Sequence, residues 1–207
     1  MKEKMKWING VGVYFHTLYS LNKNVLKLCN CDAFEMYEIQ SIVMEISINL
    51  NTLIPFNVHE SSKKIELLNE GMLSFGKDIS FVKDDYKKII EKRYVVFNTI
   101  KKLRNKSLHE PHLVKIASTG SGSASLPDAK FKVKNKEFQI KTEEFVEIVK
   151  SLNEIFDKVS NEVEKSSNEE WKEHPYIKKI TGFQFSNFNH LLESEVVKQV
   201  GFITREY

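Results

Sequence analysis

Thr142-Glu143-Glu144-Phe145-Val146-Glu147-Ile148-Val149-Lys150-Ser151-Leu152-Asn153-Glu154-Ile155-Phe156 decides the fold class. Phe145, Ile148, Val149, Leu152, Ile155 and Phe156, continued by Val159 and Val163, recur at the three- and four-residue steps of one helical face. Thr142 caps the start, and Glu143 and Glu144 stand where the helix dipole is positive. A helix with so wide an apolar stripe must bury it against other elements, so the rest of the chain is read for partners.

Residues 7–28 predict a first helix, with Gly10 and Gly12 weakening its start. Asp32 and Glu35 read as a capping box, followed by Ile39, Ile42, Val43, Ile46, Leu50 and Leu53 at helical spacing up to Pro55. Residues 56–81 read as a connection with a short helix around Lys63–Leu73, bounded by Gly71 and Gly76. A third helix runs from about Asp84 to about Leu108. Its stripe is Ile89, Ile90, Val96, Phe97, Ile100 and Leu103, and Lys87, Lys88, Lys92, Lys101 and Lys102 decorate the other side. Pro111 forces Glu110 out of the α region and stops it. Residues 118–125 carry only small side chains and read as a flexible loop, without the G-x-x-x-x-G-K pattern of a phosphate cradle.

Phe131-Lys132-Val133-Lys134 and Phe138-Gln139-Ile140 alternate around Asn135-Lys136-Glu137, which predicts a small hairpin at about 128–141 inserted between helices. The expected fold is mainly all-α: an antiparallel helical bundle over residues 1–165 with this hairpin insert. Residues 166–207 form a C-terminal tail that carries Phe183, Phe185 and Phe188, and either packs on the bundle or faces a partner.

The chain's 207 residues are 41% apolar, enough for a real core. The net charge of +3 is milder than that of a nucleic-acid coat, so any RNA contact must be local. Cys29 and Cys31, spaced C-x-C with no further Cys or His nearby, read as free thiols rather than a disulfide or metal pair. The longest uncharged run, Trp7 to Asn22, is too short and too polar to cross a membrane. No h-region and cleavage site follow the charged N-terminus. The expectation is a cytoplasmic protein with no membrane contact, no cofactor and no metal.

The third helix closes with Arg104-Asn105-Lys106-Ser107-Leu108-His109-Glu110-Pro111. Arginine holds phosphate with a planar fork of donors, and histidine moves protons near neutral pH. That pair can cut RNA without a metal, because RNA carries its own nucleophile in the 2′-hydroxyl. Five residues of α-helix turn through about 500°, which leaves His109 about 140° from Arg104. Either the helix unwinds between them, or each pairs with its counterpart in a two-fold dimer, where two arginines and two histidines line one cleft. The ordinary alternative is a helix end whose Arg and His complement the negative dipole pole.

The pattern R-N-x-x-x-H at the end of a long bundle helix resembles the HEPN superfamily (higher eukaryotes and prokaryotes nucleotide-binding domains). Its motif is an arginine, often followed by a polar residue, then a short spacer and a histidine. Arg104, Asn105 and His109 match these positions. The hairpin and the small-residue loop are similar to a bacterial branch of the superfamily, and the likeness in helical order spans roughly residues 32–165. The resemblance implies a metal-independent endoribonuclease, a homodimer with a composite active site, and a role as toxin or antiviral effector with an antitoxin or defence-system partner protein. It makes Arg104, Asn105 and His109 the catalytic candidates. His109 would serve as general base or acid, Arg104 would neutralise the phosphate oxygens, and Asn105 would orient either. Some toxin members carry a modifiable tyrosine two residues after the histidine, where this chain has Pro111.

Lys101, Lys102 and Lys106 are the candidate RNA-binding residues, set against the reading of a merely wet helix face. His112 reads as a solvated loop histidine or a second member of a dyad. Glu38 and Glu45 read as an ion-paired stripe or a carboxylate pair in the cleft. His16, His59, His174 and His190 show no metal-ligand spacing. A non-catalytic HEPN module that binds a nucleotide or a partner protein, with the tail phenylalanines as its contact, is the competing function; a purely structural scaffold is the third.

Overall fold

The computed structural model describes residues 2–31, 36–53, 94–110, 114–118, 127–166 and 183–203, and the single residues 88, 92, 175 and 178. Within them the order is α1 (Lys2–Asn30), α2 (Met36–Leu53), α3 (Tyr94–His109), β1 (Val114–Ser118), β2 (Pro127–Val133), β3 (Lys136–Lys141), α4 (Thr142–Ser166) and α5 (Asn187–Ile203). The class is mainly α, as the periodicity predicts. Several expectations lie outside the described residues: the Asp32–Glu35 cap, the Lys63–Leu73 helix, Pro55, Pro111, His59, His112, His174, Trp171, and the small-residue loop beyond Ser118. Of the predicted helix before Tyr94, Lys88 and Lys92 are helical.

Side-chain pairs fix the helix directions. Lys27 meets Glu38 at 2.5 Å, Asn24 Nδ2 donates to Glu45 Oε2 at 3.0 Å, and the Tyr14 hydroxyl donates to the Leu53 carbonyl at 3.2 Å. Partners rise along α2 as they fall along α1, so the two helices are antiparallel. Their seam buries Leu18, Leu21, Val25 and Leu28 against Ile39, Ile42, Val43, Ile46 and Leu50. α1 starts at Lys2 and runs through Gly10 and Gly12, five residues before the predicted start. Glycine costs about 1 kcal/mol of helix propensity but keeps its backbone donor, so the ladder continues.

α4 crosses back along α1, burying Phe145, Ile148, Val149, Leu152, Ile155 and Phe156. Glu144 Oε2 accepts the Lys141 N–H at 3.1 Å, the return half of a capping box that moves the N-cap from Thr142 to Lys141. Between α1, α4 and α5 lies a polar seam. Asn22 and Asn153 exchange amide bonds of 2.7 and 2.9 Å, and Asn153 Nδ2 also donates to Asn189 Oδ1 at 2.8 Å.

The tail residues 183–203 pack on the bundle. Phe185 is fully buried, with ring centroids 5.2 Å from Phe15, 5.1 Å from Phe156 and 4.8 Å from Phe183. Phe188 is half-buried, 5.9 Å from Tyr19. The three phenylalanines thus belong to the core and its rim and not to an exposed partner surface. Asp157 sets the entry to α5 by accepting the N–H groups of Phe185 and Ser186 at 2.7 and 2.9 Å.

The β element is larger than the predicted hairpin. β1 joins β2 and β3 in a three-stranded antiparallel sheet of order β1-β2-β3, with Val114 opposite Phe131 and Phe131 opposite Phe138. Ser118, predicted to open the loop, ends β1. The turn falls at Lys134–Asn135, one residue earlier than the predicted Asn135–Glu137. Lys134 takes φ 55°, a left-handed conformation with no glycine to advertise it in the sequence. Val114, Ala129, Phe131 and Ile140 turn into the common core, which seats the sheet on α2, α3 and α4. No helix among the described residues is long and apolar enough to cross a membrane.

Candidate functional site

α3 is one continuous helix from Tyr94 to His109, so the chain does not unwind between Arg104 and His109. Thr99, Ile100 and Leu103 are buried against the bundle. The opposite face therefore points to solvent, and on it Asn98, Lys101, Asn105, Leu108 and His109 are all exposed. Arg104 lies at one flank of this face, half-buried, and Lys102 and Lys106 lie at the other.

The Arg104 guanidinium bends onto its neighbour. Nε and Nη2 donate to Asn105 Oδ1 at 3.1 and 2.8 Å. Asn105 and His109 are one helical turn apart and share a face. The asparagine thus draws the cationic head around the helix toward the histidine, which narrows the separation of about 140° that the backbone imposes. Within one chain Arg104 and His109 share no direct hydrogen bond among the described residues.

The end of the helix is well closed. Glu110 N–H donates to the Lys106 carbonyl at 2.7 Å, and Lys106 Nζ meets Glu110 Oε2 at 2.5 Å. His109 occupies the last helical position, where a protonated imidazole complements the dipole.

The three candidate lysines have different surroundings. Lys101 is exposed. Lys102 places its ammonium 4.3 Å from the Phe138 ring centroid, and Phe138 stacks on Phe131 at 5.5 Å. Lys106 is held by Glu110. The Lys102–Phe138 contact ties the motif helix to the sheet across 36 positions of sequence, and no local pattern could have signalled it.

Glu38 and Glu45 face α1 through Lys27 and Asn24, so they form the interhelical stripe and not a carboxylate pair beside α3. His16 lies against Phe15 in a T-shaped contact at 5.6 Å, and His190 is exposed on α5. Cys29 and Cys31 are not joined in a disulfide, and burial pushes the Cys29 thiol up to about 12. Among the described residues no three His, Cys, Asp or Glu side chains group to hold a metal ion. The chain matches no family model, no curated protein and no solved structure at a significant level.

Proposed function

We propose that this chain is a metal-independent endoribonuclease of the HEPN type, acting as a homodimer with a composite active site. The observation that carries the reading is the Arg104–Asn105 pair and the exposed His109 in the last turns of one unbroken helix. Because the helix stays continuous, one Arg104 and one His109 diverge, and a two-fold axis near the helix end brings each beside its counterpart. Leu108, 51% exposed between them, gives that contact an apolar centre.

The chemistry follows from the side chains. The RNA 2′-hydroxyl attacks the adjacent phosphorus, losing its proton to a histidine, while a protonated histidine gives a proton to the departing 5′-oxygen. Two copies of His109 in one cleft can share these roles. Arg104 neutralises charge on the equatorial phosphate oxygens, and Asn105 holds it in place. The products are a 2′,3′-cyclic phosphate and a 5′-hydroxyl, and DNA is inert. A toxin or antiviral effector, restrained by an antitoxin or defence-system partner, is the biological setting that suits such an activity in the cytoplasm.

The second reading is a non-catalytic module in which the same face binds a nucleotide or partner protein. The exposed Leu108 favours it, since an apolar side chain amid polar neighbours is a ready protein contact. Incubation of wild-type and His109→Ala protein with total RNA in EDTA separates the two. Wild-type-only cleavage leaving cyclic phosphates supports the nuclease; a stable complex without turnover supports the module.

A further inference from the structure

We propose that the β2–β3 hairpin holds the sugar-phosphate backbone of single-stranded RNA and leads it to the Arg104–His109 face. Residues 130–141 contain five lysines and one carboxylate, Glu137. That local excess is larger than the +3 of the whole chain, and it follows the basic stretch of α3 that carries Lys101, Lys102, Arg104 and Lys106. Lys132, Lys134, Lys136 and Lys141 are exposed and Lys130 is half-buried. None of the five makes an ion pair among the described residues. Asp128, the other acid of the sheet face, is buried and accepts from Gln139 Nε2 at 2.6 Å, which removes it from the surface.

The arrangement suits a linear polyanion. Lys130 and Lys132 stand two residues apart on one strand face, about 7 Å, a spacing comparable with successive phosphates on an extended strand. Lys134 carries the charge around the tip to Lys136, which lies on the other sheet face with Phe138, while Glu137 stands opposite Lys132. Lys134 occupies the one left-handed non-glycine position among the described residues. A lysine there accepts conformational strain that glycine would relieve, and what it gains is a charge at the tip. A bilayer surface is a poorer match, because membrane-binding segments pair basic residues with exposed apolar ones. Among the described residues the exposed large hydrophobics are Tyr37, Ile48, Leu108 and Leu191, and the hairpin contributes none.

The hairpin also lies beside the proposed catalytic face. Lys102 contacts Phe138 of β3, and Lys102, Lys106 and His109 share one flank of α3. Seven helical residues, about 10 Å of axis, separate the Lys102 contact from His109. A strand on Lys130 and Lys132 lies on the sheet face opposite Phe138, and it reaches the side of α3 by rounding the tip at Lys134 and Lys136. The delivery half of the inference rests on the nuclease reading; the binding half does not.

The test uses the full chain and a labelled single-stranded RNA of mixed sequence, with anisotropy read over a series of salt concentrations. The triple variant Lys132→Gln, Lys134→Gln, Lys136→Gln is expected to bind roughly tenfold or more weakly at low salt, with the slope of log Kd against log salt smaller by about 0.7 for each phosphate no longer neutralised. The matching triple arginine variant keeps the binding, which separates lost charge from a damaged fold. Wild-type affinity and slope in the glutamine variant overturn the inference. So does a wild-type protein that ignores RNA and binds only phosphatidylserine vesicles. Binding is repeated on His109→Ala, where no cleavage intervenes. RNA held through the lysines but never cut sinks the nuclease reading and leaves the hairpin site standing. Cleavage with unchanged KM in the glutamine variant does the reverse.

Discussion

Asn105 Oδ1 accepts from both Nε and Nη2 of Arg104, so two adjacent residues of one helix form a closed pair. The pair fixes a flexible guanidinium before any substrate arrives. On the nuclease proposal, Asn105→Ala lowers kcat for RNA cleavage by about tenfold to a hundredfold with little change in KM, because positioning is lost while the charge that would attract RNA remains. Asn105→Asp is the sharper test: it holds the guanidinium equally well but offsets its charge, so KM should rise as kcat falls. Both residues are accessible, so thermal stability should barely move. A large loss of Tm in either variant would mean the pair is structural.

The sequence exposes what is periodic and hides what depends on distant partners. The stripe of α4 is readable because Phe145 through Phe156 repeat over several turns. The five residues of β1 alternate too briefly to stand out, and Val114 and Ile116 become strand residues only through pairing with Phe131 and Ala129. Phe185 looks like an exposed aromatic in a polar tail; it is buried because Phe15 and Phe156, far away in sequence, leave a place for it. Of the candidate site, the residue types and spacing at Arg104, Asn105 and His109 are legible. The Asn105 clamp and the seating of the hairpin on Lys102 are not, since neither follows from a local pattern.

Asp157 carries the attachment of α5. Its carboxylate accepts two backbone N–H groups at the start of that helix, where a negative charge also meets the positive dipole pole. Asp157→Ala leaves both donors without this partner and is expected to cost about 2 kcal/mol. The loss should be local first. Hydrogen exchange of residues 187–195 should accelerate more than exchange in α1 and α2. Uniform acceleration across the bundle would contradict the assignment.

Cys29 gives the fold an alkaline limit. It is 1% exposed, and burial raises its thiol from 9.0 to about 12. Above pH 9 the unfolded chain releases this proton while the folded chain retains it. The folded state then binds more protons, so stability falls as pH rises, by up to about 1.4 kcal/mol per pH unit for this one group. Tyr14, also raised by burial, adds to the slope at higher pH. The informative quantity is therefore the difference between wild type and Cys29→Ala in urea unfolding from pH 8 upward. The alanine variant should lose stability less steeply; parallel curves would show that Cys29 does not titrate with unfolding.

Lys134 separates stability from function most directly. At φ 55° its side chain crowds the backbone, whereas glycine adopts this conformation without a Cβ. Glycine also gives the unfolded chain more freedom, which offsets part of the relief. The net expectation for Lys134→Gly is a gain of about 0.5–1 kcal/mol, read as a higher urea midpoint with an unchanged m-value. If the hairpin holds RNA, the same variant binds it more weakly and with a shallower salt dependence. A protein that becomes more stable and binds RNA less well would mean that the lysine is kept at the tip for its charge. A protein that gains stability and loses no affinity would place the phosphate-binding positions elsewhere on the hairpin.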